Sequence, residues 1–300
     1  MTNQLSQEKK TKKTFRDKWV NNPDLAFSQT LDSKSEIFKW ILNRNGFKKP
    51  EDLQKYLKSK KRVLDAGCGN GRVTALLRKY SDPKTTEVVG VDVAPIEIAR
   101  GNLKKYKLDQ NTNFSQADLM KSLKKLGQFD FIYSQEVLHH TKNPQKAFNN
   151  LVEILSPKGE IAIYVYKKKA PIREFVDDYI RERISKLPYN QAMKVCREIT
   201  ELGKVLSETK TKIKVPKVEI LEIDGGALDL QRFIYHYFMK CFWNPDLSFE
   251  ANTAINFDWY HPQICARYDL EEIKEWFKAA DLKITQTCVD HYGITVRGKK

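Results

Sequence analysis

The chain has 300 residues, 41% of them hydrophobic, and a formal net charge of +15, which suits one large domain or a domain carrying a sizeable insertion. Its five cysteines, an odd number without a C-x-x-C pair, argue against a disulfide framework or a zinc site, and no apolar run approaches the roughly 18 residues of a membrane span. The charge points either to an anionic partner (nucleic acid, a nucleotide-linked compound, a membrane surface) or to a solvated lysine-rich surface; lysines scattered along the whole chain favour the surface.

Residues 1–13 are polar and basic without an apolar core, so they read as a disordered lead-in and not as a secretory signal. With reduced, buried thiols this predicts a cytoplasmic protein. Residues 14–60 read as an N-terminal helical arm, with Phe15, Trp19 and Phe27 ahead of a stretch carrying Ile37, Trp40 and Ile41 at helical spacing. From 61 to 166 strands alternate with helices. Strands are predicted at 62–66, 87–91, 112–116, 129–134 and 160–166, helices at 72–80, 95–105 and 144–154, and a turn at 156–159. That alternation predicts a parallel sheet with helices on both faces. Residues 167–268 break the pattern and read as an α-helical insertion. An amphipathic helix over 269–280 and strands over 282–289 and 293–297 make a closing segment of 269–300.

The chemistry starts at Val63-Leu64-Asp65-Ala66-Gly67-Cys68-Gly69-Asn70-Gly71, a buried strand that ends on an acid and turns on glycines. Val73, Leu76, Leu77 and Tyr80 then share one helical face. Strand, glycine turn and helix form a mononucleotide-binding crevice, because glycine lets backbone approach a ligand closely. A dinucleotide fingerprint would place its third glycine at position 72, which is Arg72, and Asp65 would repel a pyrophosphate. S-adenosylmethionine (SAM) suits such a turn: it carries an ammonium and a sulfonium and no phosphate. Asp92 ends the second strand 25 residues past Gly67, where a carboxylate accepts both ribose hydroxyls or else caps a helix. Cys68 fits the turn by its size and is assigned no nucleophilic role.

The D-x-G-x-G-x-G order of residues 65–71 resembles the first motif of class I SAM-dependent methyltransferases. F-D-F-I-Y-S-Q-E-V-L-H-H-T, residues 129–141, resembles the fourth-strand motif of the type 11, or UbiE-like, members. The resemblance covers 61–166, and about 269–297 by architecture. It implies an α/β fold: a doubly wound, Rossmann-like sheet of seven strands, the last antiparallel, with 167–268 as a cap over the substrate. It implies SAM as cofactor, S-adenosylhomocysteine as product, and a cofactor-binding set of Asp65, Gly67, Cys68, Gly69, Asp92, Val93, Ala117, Asp118, Ser134 and Gln135. Asp118 would face the adenine amine; an N-cap before 119–126 is the competing role. Two departures stand out. There is no N-P-P-Y/F motif, and position 136 is Glu where small residues are common.

His139, His140 and His261 are candidate general bases, since imidazole titrates near neutral pH; the first two could instead pack under the following loop. Trp259 and Tyr260 are candidate acceptor contacts, with Arg267 for an anionic group; the same aromatics could instead dock the insertion. Within it, Ile172, Phe175, Val176, Tyr179 and Ile180 form an apolar helix face, and Arg173, Asp177, Asp178 and Arg181 form i,i+4 pairs. No metal-ligand cluster is evident. The expected acceptor is a small or medium metabolite, anionic ones included: a sugar, a nucleotide-linked sugar or a lipid-linked intermediate. RNA methylation, and a non-catalytic SAM-fold protein that binds nucleic acid or a partner, remain alternatives. The expected assembly is a monomer or homodimer.

Overall fold

The structure, a computed structural model, describes residues 2–300. Four helices come first: α1 (Thr2–Asn21), α2 (Phe27–Leu31), α3 (Glu36–Arg44) and α4 (Pro50–Leu57). The alternating part is β1 (Arg62–Ala66), α5 (Arg72–Lys79), β2 (Glu87–Asp92), α6 (Glu97–Lys105), β3 (Thr112–Gln116), β4 (Phe129–Gln135), α7 (Pro144–Glu153) and β5 (Leu155–Tyr166). Next come α8 (Pro171–Ile184), α9 (Tyr189–Glu208), β6 (Lys212–Val215), β7 (Gly226–Asp229), α10 (Leu230–Tyr237) and α11 (Phe249–Tyr260). The chain closes with α12 (Leu270–Ala279), β8 (Lys283–Val289) and β9 (Gly293–Lys299). Two compact units result: residues 19–167 with 266–300, and the chain up to Lys18 with 168–265.

The first unit holds a seven-stranded sheet in the order β3-β2-β1-β4-β5-β9-β8. β1 to β5 pair in parallel, and β9 runs antiparallel to both of its neighbours. β1 is an inner strand, and Val63, Leu64 and Ala66 are wholly buried, as expected of a strand covered on both faces. The strand order reverses between β1 and β4, the switch point at which such sheets bind ligands. Short-range chemistry sets the helix ends. The Ser35 hydroxyl accepts the Phe38 N–H at the start of α3, Asn143 accepts the Lys146 N–H at the start of α7, and Glu272 accepts the Asp269 N–H ahead of α12.

Three local expectations change. The 95–105 helix begins at Glu97, and β2 and β4 each extend one residue further, through Asp92 and Gln135. Residues 156–159, expected as a turn, lie inside β5 as an irregularity of the strand. Leu155 pairs with Phe129 and Glu160 with Phe131, so four residues bulge opposite Asp130, with Lys158 at φ 63°. Asp130 organises that corner, accepting N–H bonds from Lys61 and Arg62 and the Ser156 hydroxyl. Finally, 119–126 forms turns and no α-helix, and Asp118 accepts the Met120 N–H there.

The second unit is mostly helical, with one antiparallel pair, β6–β7, where the sequence suggested no strands. Residues 2–13, read as disordered, belong to α1. That helix lacks an apolar stripe. Thr11, Thr14 and Lys18, at i, i+3 and i+7, are buried instead through polar contacts: Ile264 N–H to Thr11 Oγ1, Thr14 Oγ1 with His261 Nδ1, and Lys18 Nζ to Asp258 at 2.9 Å. α8 is likewise inverted. Phe175 (77% exposed) and Tyr179 face out, while Arg173, Asp177 and Arg181 are buried. The cause is the Asp177 carboxylate, which accepts from Arg173 Nε, Trp259 Nε1, the Tyr260 hydroxyl and the Lys240 N–H. A buried carboxylate with four donors is satisfied, so the charged face is the one that packs.

Candidate active site

The glycine turn follows β1 at the switch point. Gly67, Gly69 and Gly71 all have positive φ, at 91°, 55° and 85°. At Gly67 an added Cβ would lie 2.2 Å from a Val137 methyl, and at Gly69 2.6 Å from the Trp19 ring. Both positions therefore demand glycine twice over, for conformation and for space. Val91 O accepts the Gly67 and Cys68 N–H groups, tying the turn to the end of β2. The Asp92 carboxylate completes the tie: Oδ2 accepts the Gly69 N–H at 2.8 Å and Oδ1 the Ala94 N–H at 2.7 Å. Burial and the nearby Asp92 and Asp65 charges raise the Cys68 thiol, which keeps it protonated.

Asp65 is 1% exposed and accepts the Thr74 hydroxyl from α5 at 2.6 Å. Burial pushes its carboxyl up to about 7, against the lowering effect of the Thr74 bond, and Asp92 raises it further. Its side chain is thus directed into the packing between sheet and α5. Beyond β2, Ala117 N–H bonds Asp92 O and the Gln116 amide bonds Val93 O, so Val93, Ala117 and Asp118 flank the Asp92 end of the crevice. Ser134, fully buried at the end of β4, donates to Ala66 O and locks β4 to β1. Gln135 follows it and accepts the Tyr133 hydroxyl, which in turn accepts the Asn45 amide from the loop after α3.

The two residues that depart from the usual motifs meet each other. Arg72, in place of a third glycine, pairs with Glu136 at 2.9 Å, and its other Nη bonds Thr30 Oγ1 at 3.2 Å. Glu136 holds φ 61°, a left-handed conformation a non-glycine residue adopts only against strain, and the ion pair offsets part of that cost. Neither residue predicts the other from sequence. The pair spans 64 positions and becomes visible only once α5 and the end of β4 are side by side.

The histidines are placed differently. His139 is fully buried, its ring 3.8 Å from that of Tyr166 and 4.2 Å from His140; His140 is 8% exposed. His139 O also accepts the Ala266 N–H, so this pair anchors the loop after β4. His261 belongs to the helical unit. Its Nδ1 contacts Thr14 Oγ1 and its Nε2 contacts Leu187 O, its ring stacks on Phe257 at 4.4 Å, and burial lowers its pKa. Trp259 and Tyr260 are 2% and 0% exposed with their donors on Asp177, inside the same unit. Arg267, half-buried and expected within the insertion, belongs instead to the sheet-bearing unit. Among the described residues no group of three His, Cys, Asp or Glu side chains is arranged to hold a metal ion, and no helix is long and apolar enough to cross a membrane.

One cluster has no counterpart in the sequence reading. Arg44, 1% exposed at the end of α3, has its guanidinium carbon 3.9 Å from the ring centroids of both Trp40 and Tyr164. Its Nη2 bonds Asp290 at 2.8 Å. Burial pushes the Tyr164 phenol well up, although the Arg44 charge beside it acts the other way.

An uncharacterized protein of Synechococcus sp. is 27% identical over 238 residues, covering 71% of this chain and 57% of its own. The ubiquinone biosynthesis O-methyltransferase of Coxiella burnetii is 31% identical over 103 residues, 34% of this chain and 42% of its own. The chain thus spans about half the length of the curated relatives it matches. Among solved structures, magnesium protoporphyrin IX methyltransferase of Synechocystis PCC 6803 with bound S-adenosylhomocysteine aligns over 95% of this chain and 97% of its own, at 11% identity and a TM-score of 0.48. Residues 57–220, more than half of the chain, match the methyltransferase domain family, and the chain belongs to that family.

Proposed function

We propose that this chain is a SAM-dependent methyltransferase whose donor site is the crevice above β1, β2 and β4. The observation that carries the reading is the Asp92 carboxylate, fixed at the end of β2 by the Gly69 and Ala94 N–H groups beside a glycine cradle that admits no side chain. Its two oxygens offer about four acceptor sites, so two hydroxyls of a ribose can share it with those backbone groups. When bound, SAM supplies an electrophilic methyl group at a sulfonium.

The chain's own residues hold and orient. In this reading the backbone of Gly67, Cys68 and Gly69 receives the amino-acid end of the cofactor, Asp92 the ribose, Asp118 with Val93 and Ala117 the adenine, and Ser134 with Gln135 the wall beside the reacting centre. Asp65 supports the turn from beneath. Positioning of donor and acceptor supplies most of the acceleration. His139 and His140, packed on Tyr166, brace the far side of the site; proton removal is left to the acceptor's own acidity or to solvent. The proposed acceptor is a small or medium metabolite that takes the methyl on O, N or C.

Calorimetry tests the reading. SAM should bind, and Asp92→Ala should weaken it by about tenfold or more, the value of hydrogen bonds to a charged group. A protein that binds no SAM would overturn the proposal.

A further inference from the structure

Gln135 on β4, Tyr164 on β5 and Thr295 on β9 are consecutive register partners. Paired residues on neighbouring strands present their side chains to the same face, so these three form one row across the sheet. The Arg44 guanidinium lies over the middle of that row, 3.9 Å from the Tyr164 ring centroid. Trp40 forms the second wall, its ring meeting that of Tyr164 edge to face at 5.4 Å.

The row collects buried hydrogen-bonding atoms without partners. Arg44 Nε and Nη1, Gln135 Nε2 and Thr295 Oγ1 make no hydrogen bond among the described residues. Arg44 is 1%, Gln135 6% and Thr295 0% exposed. Native proteins leave few such atoms, and each costs stability, so a concentration on one patch calls for a ligand. The nearest acid does not answer the need. Asp290 accepts from Trp40 Nε1 and Arg44 Nη2 on one oxygen, and from the Tyr292 and Gly293 N–H groups on the other. Three of the four unpartnered atoms are pure donors and the fourth is a hydroxyl, which selects an acceptor-only group with negative charge.

We propose that Arg44, Gln135 and Thr295 form an oxyanion pocket for a carboxylate, the anionic group of the methyl acceptor. The pocket sits one residue before Glu136, whose neighbour Val137 packs on the Gly67 turn, so a molecule anchored there has its remaining atoms beside the donor crevice. The acceptor assignment rests on the methyltransferase reading; the carboxylate site does not.

The test uses the full chain, labelled with nitrogen-15, titrated with sodium acetate against sodium chloride at equal ionic strength. The side-chain amide of Gln135 and the Arg44 Nε–H should shift saturably with acetate and not with chloride. In Gln135→Glu, an isosteric change that places a like charge in the pocket, the Arg44 signal should no longer respond. In Thr295→Val acetate should bind about tenfold more weakly. Absent or unsaturable shifts, or equal shifts with chloride, overturn the pocket. SAM calorimetry on the same samples separates the two claims: SAM binding without an acetate response removes the pocket alone, and an acetate response without SAM binding removes the methyltransferase reading alone.

Discussion

Asp65 shows how one side chain in a motif can be held in an unfavourable charge state. Its carboxyl is raised to about 7 by burial, so the folded protein prefers it protonated while the unfolded chain ionises it near 3.8. Between those values the native state binds the extra proton, and stability falls as pH rises; above about pH 7 the full cost is present. A shift of about three units corresponds to about 4 kcal/mol at most. Asp65→Asn keeps an acceptor for Thr74 and carries no charge. Its stability relative to the parent protein should therefore rise between about pH 4 and pH 7 and level off above that, measured by urea denaturation. A gap that shrinks with pH would mean that the ionised carboxylate is favoured in the fold. Residue-scale reading of the motif strings located the turn, Asp92 and the end of β4. It could not locate the Arg72–Glu136 pair or the Arg44 cluster, because both arise from side chains brought together by topology across 64 and 246 positions.

At the scale of elements, periodicity found those that bury an apolar face. The five parallel strands and α5, α7 and α12 lie within one or two residues of where hydrophobic spacing put them, apart from the early start of β5. It failed where the buried face is polar. α1 shows no apolar stripe and was read as disordered through residue 13, and α8 was read inside out, because in both the packing surface is made of threonine hydroxyls and paired charges. Such a surface is specific and fragile. Lys18 and Asp258 are both poorly exposed, at 8% and 15% of their side chains. Lys18→Met keeps the length and removes the charge; it should cost about 2 kcal/mol in chemical denaturation, more than an exposed pair would. A loss within a few tenths of a kcal/mol would show that α1 is held by its other contacts.

At the scale of the molecule, the two units divide the chain unlike the sequence reading did. The closing segment joins the sheet, as the architecture of the family implies, but the first 18 residues group with the insertion. The net charge of +15 is spread over scattered lysines, many of them in ion pairs such as Lys105–Asp24, Lys186–Glu182 and Lys217–Glu219. With the excess positive charge dispersed and not gathered into one basic stripe, the chain should bind RNA weakly at physiological salt, with a shallow dependence of affinity on salt concentration. Filter binding with a structured and a single-stranded RNA checks this; tight binding with a steep slope would move the proposed acceptor from a metabolite to RNA.

The contact between Trp19 and Gly69 has an optical consequence. Of five tryptophans, Trp40 donates to Asp290, Trp243 meets the Phe249 ring, Trp259 donates to Asp177 and Trp276 packs in the sheet core, whereas the Trp19 ring rests on the glycine turn itself. Its emission therefore samples the polarity beside that turn, the proposed donor crevice, directly. A chain reduced to this one indole, with the others replaced by phenylalanine, would carry its own fluorescent gauge of ligand arrival, with no label attached.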